Sequence, residues 1–282
     1  MGASRSESGL PTVKDHSQRC EPAWIEHLSP TKTPSLRLFC FPYAGGSADV
    51  YRSWRRFLPE ELDVCLVHLP GRGGNIGKRP FTRFPALMEE IADRISFLIG
   101  IPYVLYGHSM GALIGFELAR ELRRRQGASP QHIFVSSCSA PQQARKEPIT
   151  FNLPKAEFLR ELGRLKGTPA EVLENPELME LFMDVLRADF EMVETYEYIP
   201  GEPLSCPITV YGGLADDNVS TEGCQAWKQQ TSAICKVRMF KGDHFFIRNL
   251  DQDFTHILRA DILQTFESID RQVKHYPKLT RR

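Results

Sequence analysis

Gly107-His108-Ser109-Met110-Gly111-Ala112 is the stretch on which the reading of this chain turns. It has the form G-x-S-x-G, a pattern whose meaning depends on what flanks it. Upstream lies Tyr103-Val104-Leu105-Tyr106, a short apolar run with β propensity; downstream, Met110 to Arg125 is a long run of helix formers carrying Leu113, Ile114, Phe116 and Leu118. Strand, sharp turn and helix is the context in which a serine sits on a strained turn with its oxygen projecting above a sheet. Gly107 and Gly111 leave no side chain where strand and helix approach each other. The helix N-terminus points backbone N–H groups and a partial positive charge at the same spot. Ser109 is therefore the candidate nucleophile.

Working outward, strands alternate with helices. Leu36 to Phe41 reads as a strand, Pro42 to Ser47 as a loop, Asp49 to Leu58 as a short helix and Asp63 to Leu69 as the next strand. A long loop, Pro70 to Arg83, holds four glycines and two prolines. Phe84, Leu87, Met88, Ile91, Ile95 and Leu98 recur at helical spacing. Beyond the elbow helix, His132 to Ser136, Pro207 to Tyr211 and Ile234 to Phe240 read as strands, with a helix over Glu222 to Gln230. Phe254, Ile257, Leu258, Ile262, Phe266 and Ile269 mark a closing helix. This alternation predicts an α/β fold: a mostly parallel central sheet with helices on both faces.

One segment breaks the rhythm. Residues 141–203 carry no strand signal. Phe158, Leu159, Leu162 and Leu165 form a stripe ending at Gly167; Thr168-Pro169-Ala170-Glu171 reads as a capping box; Asn175-Pro176-Glu177 opens a helix with Leu178, Leu181, Phe182, Val185 and Leu186 on one face. This helical insertion is expected to cover the site as a lid. The expected organisation is a disordered head over residues 1–34, with at most a local turn at Trp24-Ile25, one domain over 35–273 and a loose basic tail over 274–282.

The bulk properties limit the function classes. With 282 residues and 41% hydrophobic content, the chain can bury a large core. Lys+Arg and Asp+Glu are equal at 35 each, so no global field draws the protein to nucleic acid or an anionic membrane. No stretch approaches the roughly 18 apolar residues of a membrane span, and the N-terminus has no secretory h-region. Seven scattered cysteines with no C-x-x-C read as reduced thiols in a cytoplasmic protein. No ligand-spaced His/Cys cluster and no dinucleotide glycine fingerprint is present, so neither metal nor cofactor is expected.

A serine needs a base to take its proton. Of the eight histidines, His244 lies in Lys241-Gly242-Asp243-His244-Phe245-Phe246, directly after the last strand, where a loop faces the same crevice as the elbow. It is the candidate general base. His108, beside the serine, is expected to be structural. The acid should follow the preceding strand, in Gly212-Gly213-Leu214-Ala215-Asp216-Asp217. Two adjacent aspartates compete there; loop length and motif resemblance favour Asp216 over Asp217. The oxyanion donors are expected to be the backbone N–H groups of Met110 and, from the loop after the first strand, Ala44.

These motifs together resemble the stand-alone type II thioesterases of polyketide and non-ribosomal peptide assembly lines, members of the α/β-hydrolase superfamily. The resemblance rests on Phe41-Pro42-Tyr43-Ala44-Gly45-Gly46, Leu69-Pro70-Gly71-Arg72-Gly73, the elbow, Gly167-Thr168-Pro169, Arg187-Ala188-Asp189-Phe190, Tyr211-Gly212-Gly213 with Asp216, and Gly242-Asp243-His244-Phe245. It implies an acyl group on the phosphopantetheine of an acyl or peptidyl carrier protein as substrate and an editing role; the protein is expected to act as a monomer. Two other readings stay open on the residues alone: a carboxylesterase or lipase with the same triad, and a non-catalytic binding module.

Carrier proteins present an acidic helix, so the resemblance further implies a local basic dock. Arg52, Arg55 and Arg56 lie beside the oxyanion loop; Arg72, Lys78 and Arg79 lie in the glycine-rich loop. Arg123, Arg124 and Arg125 have a simpler role, as cations complementing a helix C-terminus.

Overall fold

The structure, a computed structural model, describes residues 24–28, 34–145 and 147–275. Among the described residues seven strands form one sheet: β1 (Ile25–His27), β2 (Leu36–Phe41), β3 (Leu62–Val67), β4 (Tyr103–His108), β5 (His132–Ser136), β6 (Ile208–Gly213) and β7 (Cys235–Phe240). Their order is β1-β3-β2-β4-β5-β6-β7. Every pair is parallel except β1 with β3. The helices are α1 (Phe84–Ile95), α2 (Met110–Gln126), α3 (Lys155–Leu165), α4 (Ala170–Leu173), α5 (Pro176–Glu194), α6 (Thr221–Gln225) and α7 (Gln252–His275). The helix expected near Asp49 is a 3-10 helix, Ala48–Arg56, capped by the Ser47 side chain.

Strands β3, β4 and β6 are buried at every position because both faces of the sheet are covered. Phe39 and Phe41 of β2, with Tyr103 and Leu105 of β4, face a core shared with Phe84, Leu87 and Ile91 of α1 and Leu118 and Leu122 of α2. The alternate residues, Leu38, Cys40, Val104 and Tyr106, face Tyr51 and Trp54 of the 3-10 helix and Phe254, Leu258 and Ile262 of α7. Trp54 is fully buried, edge-on to Tyr51, Tyr106 and Phe254. Losing a ring of this kind from a core costs about 3–5 kcal/mol.

Several expectations need correction. Residues 24–28 do not belong to a disordered head. Ile25–His27 pairs with β3, with Ile25 opposite Val67. Trp24 is buried and lies under the Arg94 guanidinium, 4.6 Å from its ring. Side chains hold the edge as well. His27 Nδ1 is 2.9 Å from Asp63 Oδ1, Arg37 Nε donates to Asp63 Oδ2 at 2.7 Å, and Arg52 forks onto Glu26. Residues 1–23 and 29–33 of the head fall outside the described residues, as do 276–282 of the tail; Lys274 and His275 close α7. The expected capping box at Thr168 does not form. α4 is a single turn starting at Ala170, and the Pro169 carbonyl accepts from Val172 and Leu173 N–H at 3.1 Å each.

The insertion carries its own small core of Phe158, Leu162, Met179 and Leu186. Asn175 caps α5, its side chain accepting from the Glu177 and Leu178 N–H groups, with Pro176 in the first turn. The buried side of α5 is Met179, Val185, Leu186, Ala188, Asp189, Met192 and Glu194, while Leu178 and Leu181 of the expected stripe are exposed. The helix turns a carboxylate toward the body of the protein, and hydrophobic periodicity cannot count that residue as core. Among the described residues, Cys40, Cys65, Cys138, Cys206 and Cys224 are buried free thiols and Cys235 is a half-buried one.

Candidate active site

β4 ends at His108 and α2 begins at Met110, leaving Ser109 alone on the turn at φ 54°, ψ −118°. A non-glycine residue held there costs about 1–3 kcal/mol and persists only where its surroundings dictate it. They do. The Ser109 N–H donates to the Ser136 carbonyl at 2.8 Å, and the Ser109 carbonyl accepts from Ala112 N–H at 2.9 Å. A Cβ on Gly107 would run into the Gly111 carbonyl, and one on Gly111 into the Phe41 carbonyl. These are backbone atoms that cannot step aside, so both elbow glycines are required.

The loops after β6 and β7 are bonded to each other. The Leu214 N–H donates to Phe240 O at 2.8 Å and the Ala215 N–H to Gly242 O at 2.9 Å. Gly242 has φ 125°, a conformation open to glycine. This pairing brings His244 Nδ1 to 2.9 Å from Asp216 Oδ2. Asp216 Oδ1 in turn accepts the N–H groups of Asn218 at 2.9 Å and Val219 at 3.1 Å. Burial alone would raise this carboxyl, but the hydrogen bond and charge of His244, with the Asn218 N–H, outweigh it and hold Asp216 below its ordinary value. An ionised Asp216 makes Nδ1 of His244 the protonated nitrogen and leaves Nε2 as an acceptor. Asp217 is exposed, and the Asp243 carboxylate is occupied by the Phe245 N–H at 2.9 Å.

His108 is fully buried. Its Nδ1 lies 2.9 Å from Ser136 Oγ, and its ring is edge-on to His244 at 5.3 Å. Burial first, then the neighbouring His244 and Arg248, keeps it well below the ordinary histidine value. It is a neutral packing partner for His244, as the sequence suggested.

Ser109, Met110, Ala44, Asp216 and His244 all line one cavity of about 530 Å³. Leu162, Leu165, Leu186, Phe190 and Val193 line it from the insertion, which therefore sits over the elbow. A clasp unannounced by any sequence signal joins insertion and body here. Arg248 donates to the Lys166 and Gly167 carbonyls and to the Tyr43 hydroxyl, at 3.0 Å for Lys166 and Tyr43. Its guanidinium stacks 4.1 Å from the Phe245 ring. A second contact joins Arg72 of the glycine-rich loop to Asp189 of α5, with both side chains buried. Arg72 thus leaves the list of docking cations. Arg52 is neutralised by Glu26 and Asp49. Arg123 to Arg125 are committed to the Glu202 and Pro203 carbonyls, Glu121 and Asp93.

A strained serine on an elbow, a histidine backed by a carboxylate and a helical insertion over the same cavity fit an α/β hydrolase. The thioesterase domain family matches residues 36–262, and the chain belongs to that family. Within it, the chain falls with the type II thioesterases of non-ribosomal peptide and polyketide biosynthesis. The gramicidin S biosynthesis protein GrsT of Aneurinibacillus migulanus is 42% identical over 224 residues, 79% of this chain and 88% of the relative. RedJ, the thioesterase of the prodiginine pathway in Streptomyces coelicolor, superposes with a TM-score of 0.76 at 33% identity, over 80% of this chain and 90% of its own. The type II thioesterase BorB of the borrelidin biosynthetic cluster superposes with a TM-score of 0.77 at 31% identity, over 86% and 97%. Among the described residues no helix is long and apolar enough to cross a membrane.

Proposed function

We propose that Ser109, His244 and Asp216 form a catalytic triad that hydrolyses acyl thioesters carried on the phosphopantetheine arm of an acyl or peptidyl carrier protein. The observation that carries this reading is the His244–Asp216 contact at 2.9 Å, with both residues and Ser109 on one cavity. Ser109 Oγ attacks the thioester carbonyl while His244 Nε2 takes its proton. The N–H groups of Met110 and Ala44 stabilise the tetrahedral oxyanion. The C–S bond then breaks, and the imidazolium returns its proton to the departing thiolate. Water, deprotonated by His244, attacks the acyl-serine; the collapse releases the carboxylic acid and restores Ser109. Each step uses only groups of this chain and water.

The same reading makes residues 35–273 the thioesterase domain, with the insertion at about 141–203 acting as a lid, in a cytoplasmic, monomeric enzyme. The insertion's apolar side chains on the cavity suit the acyl portion of the substrate.

The test is hydrolysis of a purified acyl-loaded carrier protein by wild type and Ser109→Ala. The variant should fold normally and lose about 10⁴-fold or more in kcat. Retention of more than a tenth of wild-type turnover would overturn the assignment. A strong preference for a short oxoester over the carrier-bound thioester would instead place the chain with the carboxylesterases.

A further inference from the structure

The triad makes no use of Arg72 or Asp189, yet their side chains are only 5% and 2% exposed and fully matched to each other. Arg72 Nη2 donates to Asp189 Oδ1 and Arg72 Nη1 to Asp189 Oδ2, both at 2.7 Å. Burying two charges this deeply is poor value for stability alone, since a well-packed apolar pair does as well or better. What an apolar pair cannot do is hold other polar groups in a fixed direction.

Both ions have such a third partner, and both partners lie in the loop after β2. Asp189 Oδ2 accepts the Gly45 N–H at 2.7 Å. Arg72 Nη1 donates to the Gly46 carbonyl at 3.0 Å. Gly45 takes φ 70°, and the Gly46 N–H closes the turn onto the Tyr43 carbonyl at 2.9 Å. That carbonyl belongs to the same peptide plane as the Ala44 N–H. In a trans peptide the two point in opposite directions, so fixing one aims the other. α5 also packs directly on the turn, because Leu186 fills the space that a Cβ on Gly45 would need.

We propose that Arg72 and Asp189 are positioning residues for the oxyanion hole. Their ion pair locks the 43–46 turn so that the Ala44 N–H stays aimed at the developing oxyanion. Because Asp189 belongs to α5, the hole is complete only while the insertion is docked. The proposal rests on the assignment of Ser109 and Ala44 made above.

The experiment compares Asp189→Asn and Arg72→Lys with wild type on a small acyl thioester of N-acetylcysteamine, so that carrier docking plays no part. Asp189→Asn keeps the shape but removes the charge that holds Gly45 and Arg72 together. It should lower kcat about 10- to 100-fold, less than the loss from deleting a donor outright, with KM within about twofold. Affinity for an alkylboronic acid, whose serine adduct carries a charged oxygen in the hole, should fall by a similar factor. The pH midpoint of kcat/KM should stay in place, because the His244–Asp216 contact is untouched. Arg72→Lys keeps the charge but not the fork, and should show a smaller loss of the same kind.

Folded variants that both keep kcat within about threefold of wild type would overturn the proposal. So would a kcat loss with unchanged boronate affinity, or one with a displaced pH midpoint. Should Asp189→Asn fail to fold, Arg72→Lys decides: a severalfold fall in kcat and boronate affinity supports the pair, and unchanged values refute it. Ser109→Ala in the same assay separates the two claims. An active Ser109→Ala protein removes the triad itself, whereas an inactive one beside a fully active Asp189→Asn protein removes only the positioning role.

Discussion

His244 Nδ1 stands 2.9 Å from Asp216 Oδ2, and the adjacent Asp217 is turned to solvent. Asp216 is held on its other oxygen by two backbone N–H groups, so its carboxylate cannot swing away from the ring. One carboxylate therefore faces the imidazole, and its neighbour faces solvent.

Exchanging each aspartate for asparagine should separate them. Asp216→Asn leaves the shape intact but offers His244 an amide, which favours the wrong tautomer. A loss of several orders of magnitude in kcat is expected, as for the equivalent change in serine proteases, where it is about 10⁴. Asp217→Asn should stay within about threefold of wild type. Steady-state kinetics on one thioester checks both, and the reverse ranking would transfer the role to Asp217.

Acid should destabilise the fold through two histidines, the half-buried His132 and the buried His108. His132 is stacked on Phe134 at 4.3 Å, and burial lowers it to about 4. Above pH 6.5 both the folded and the unfolded chain keep this ring neutral, so it contributes nothing to the pH dependence. Below 6.5 the unfolded chain takes up a proton that the folded chain refuses until about pH 4. Stability therefore falls with falling pH across that window, by roughly 3 kcal/mol at 1.36 kcal/mol per pH unit. His108 acts in the same direction. Asp216, held below its ordinary value, adds a loss at lower pH as it becomes protonated. Thermal melting of His132→Gln between pH 4 and 7 is the check. Its acid limb should be visibly shallower than that of wild type, and an identical slope would mean that this ring does not remain neutral in the fold.

The elbow, the chain order of the three polar side chains and the strand–helix alternation were legible because each is local. A glycine pattern beside a strand, or a histidine just after one, needs no knowledge of distant contacts. What escaped was long-range. β1 is three residues in a polar context, and its backbone partners lie about forty positions later. Arg72 and Asp189 stand in two quoted motifs 117 residues apart, and nothing in either motif names the other. On α5 the apolar stripe pointed to Leu178 and Leu181, both exposed, because the buried side is built around Asp189. Arg248 is an ordinary arginine in sequence; only the fold sets it against Tyr43 and the Gly167 carbonyl.

The last prediction concerns carrier docking, where the fold has narrowed the choice. A basic patch remains the expected complement to an acidic carrier helix, since the net charge of zero supplies no global attraction. Arg72 is buried against Asp189, and Arg52 faces two carboxylates, so neither offers a net positive charge at the surface. Of the remaining candidates, Arg56 in the last turn of the 3-10 helix and Arg79 of the glycine-rich loop are exposed, and the prediction is made for them. Both adjoin segments that touch α5. Leu186 packs on Gly45 before the 3-10 helix, and Val185 packs on Gly71 of the other loop. Charges at the rim of an interface act mainly through association rate and salt dependence. Reversing both to glutamate should raise KM for an acyl-carrier protein severalfold and flatten its dependence on ionic strength. Hydrolysis of a small acyl thioester should be nearly unchanged. Equal losses on both substrates would show damage to the site itself, and an unaltered KM for the carrier would place the dock elsewhere on the molecule.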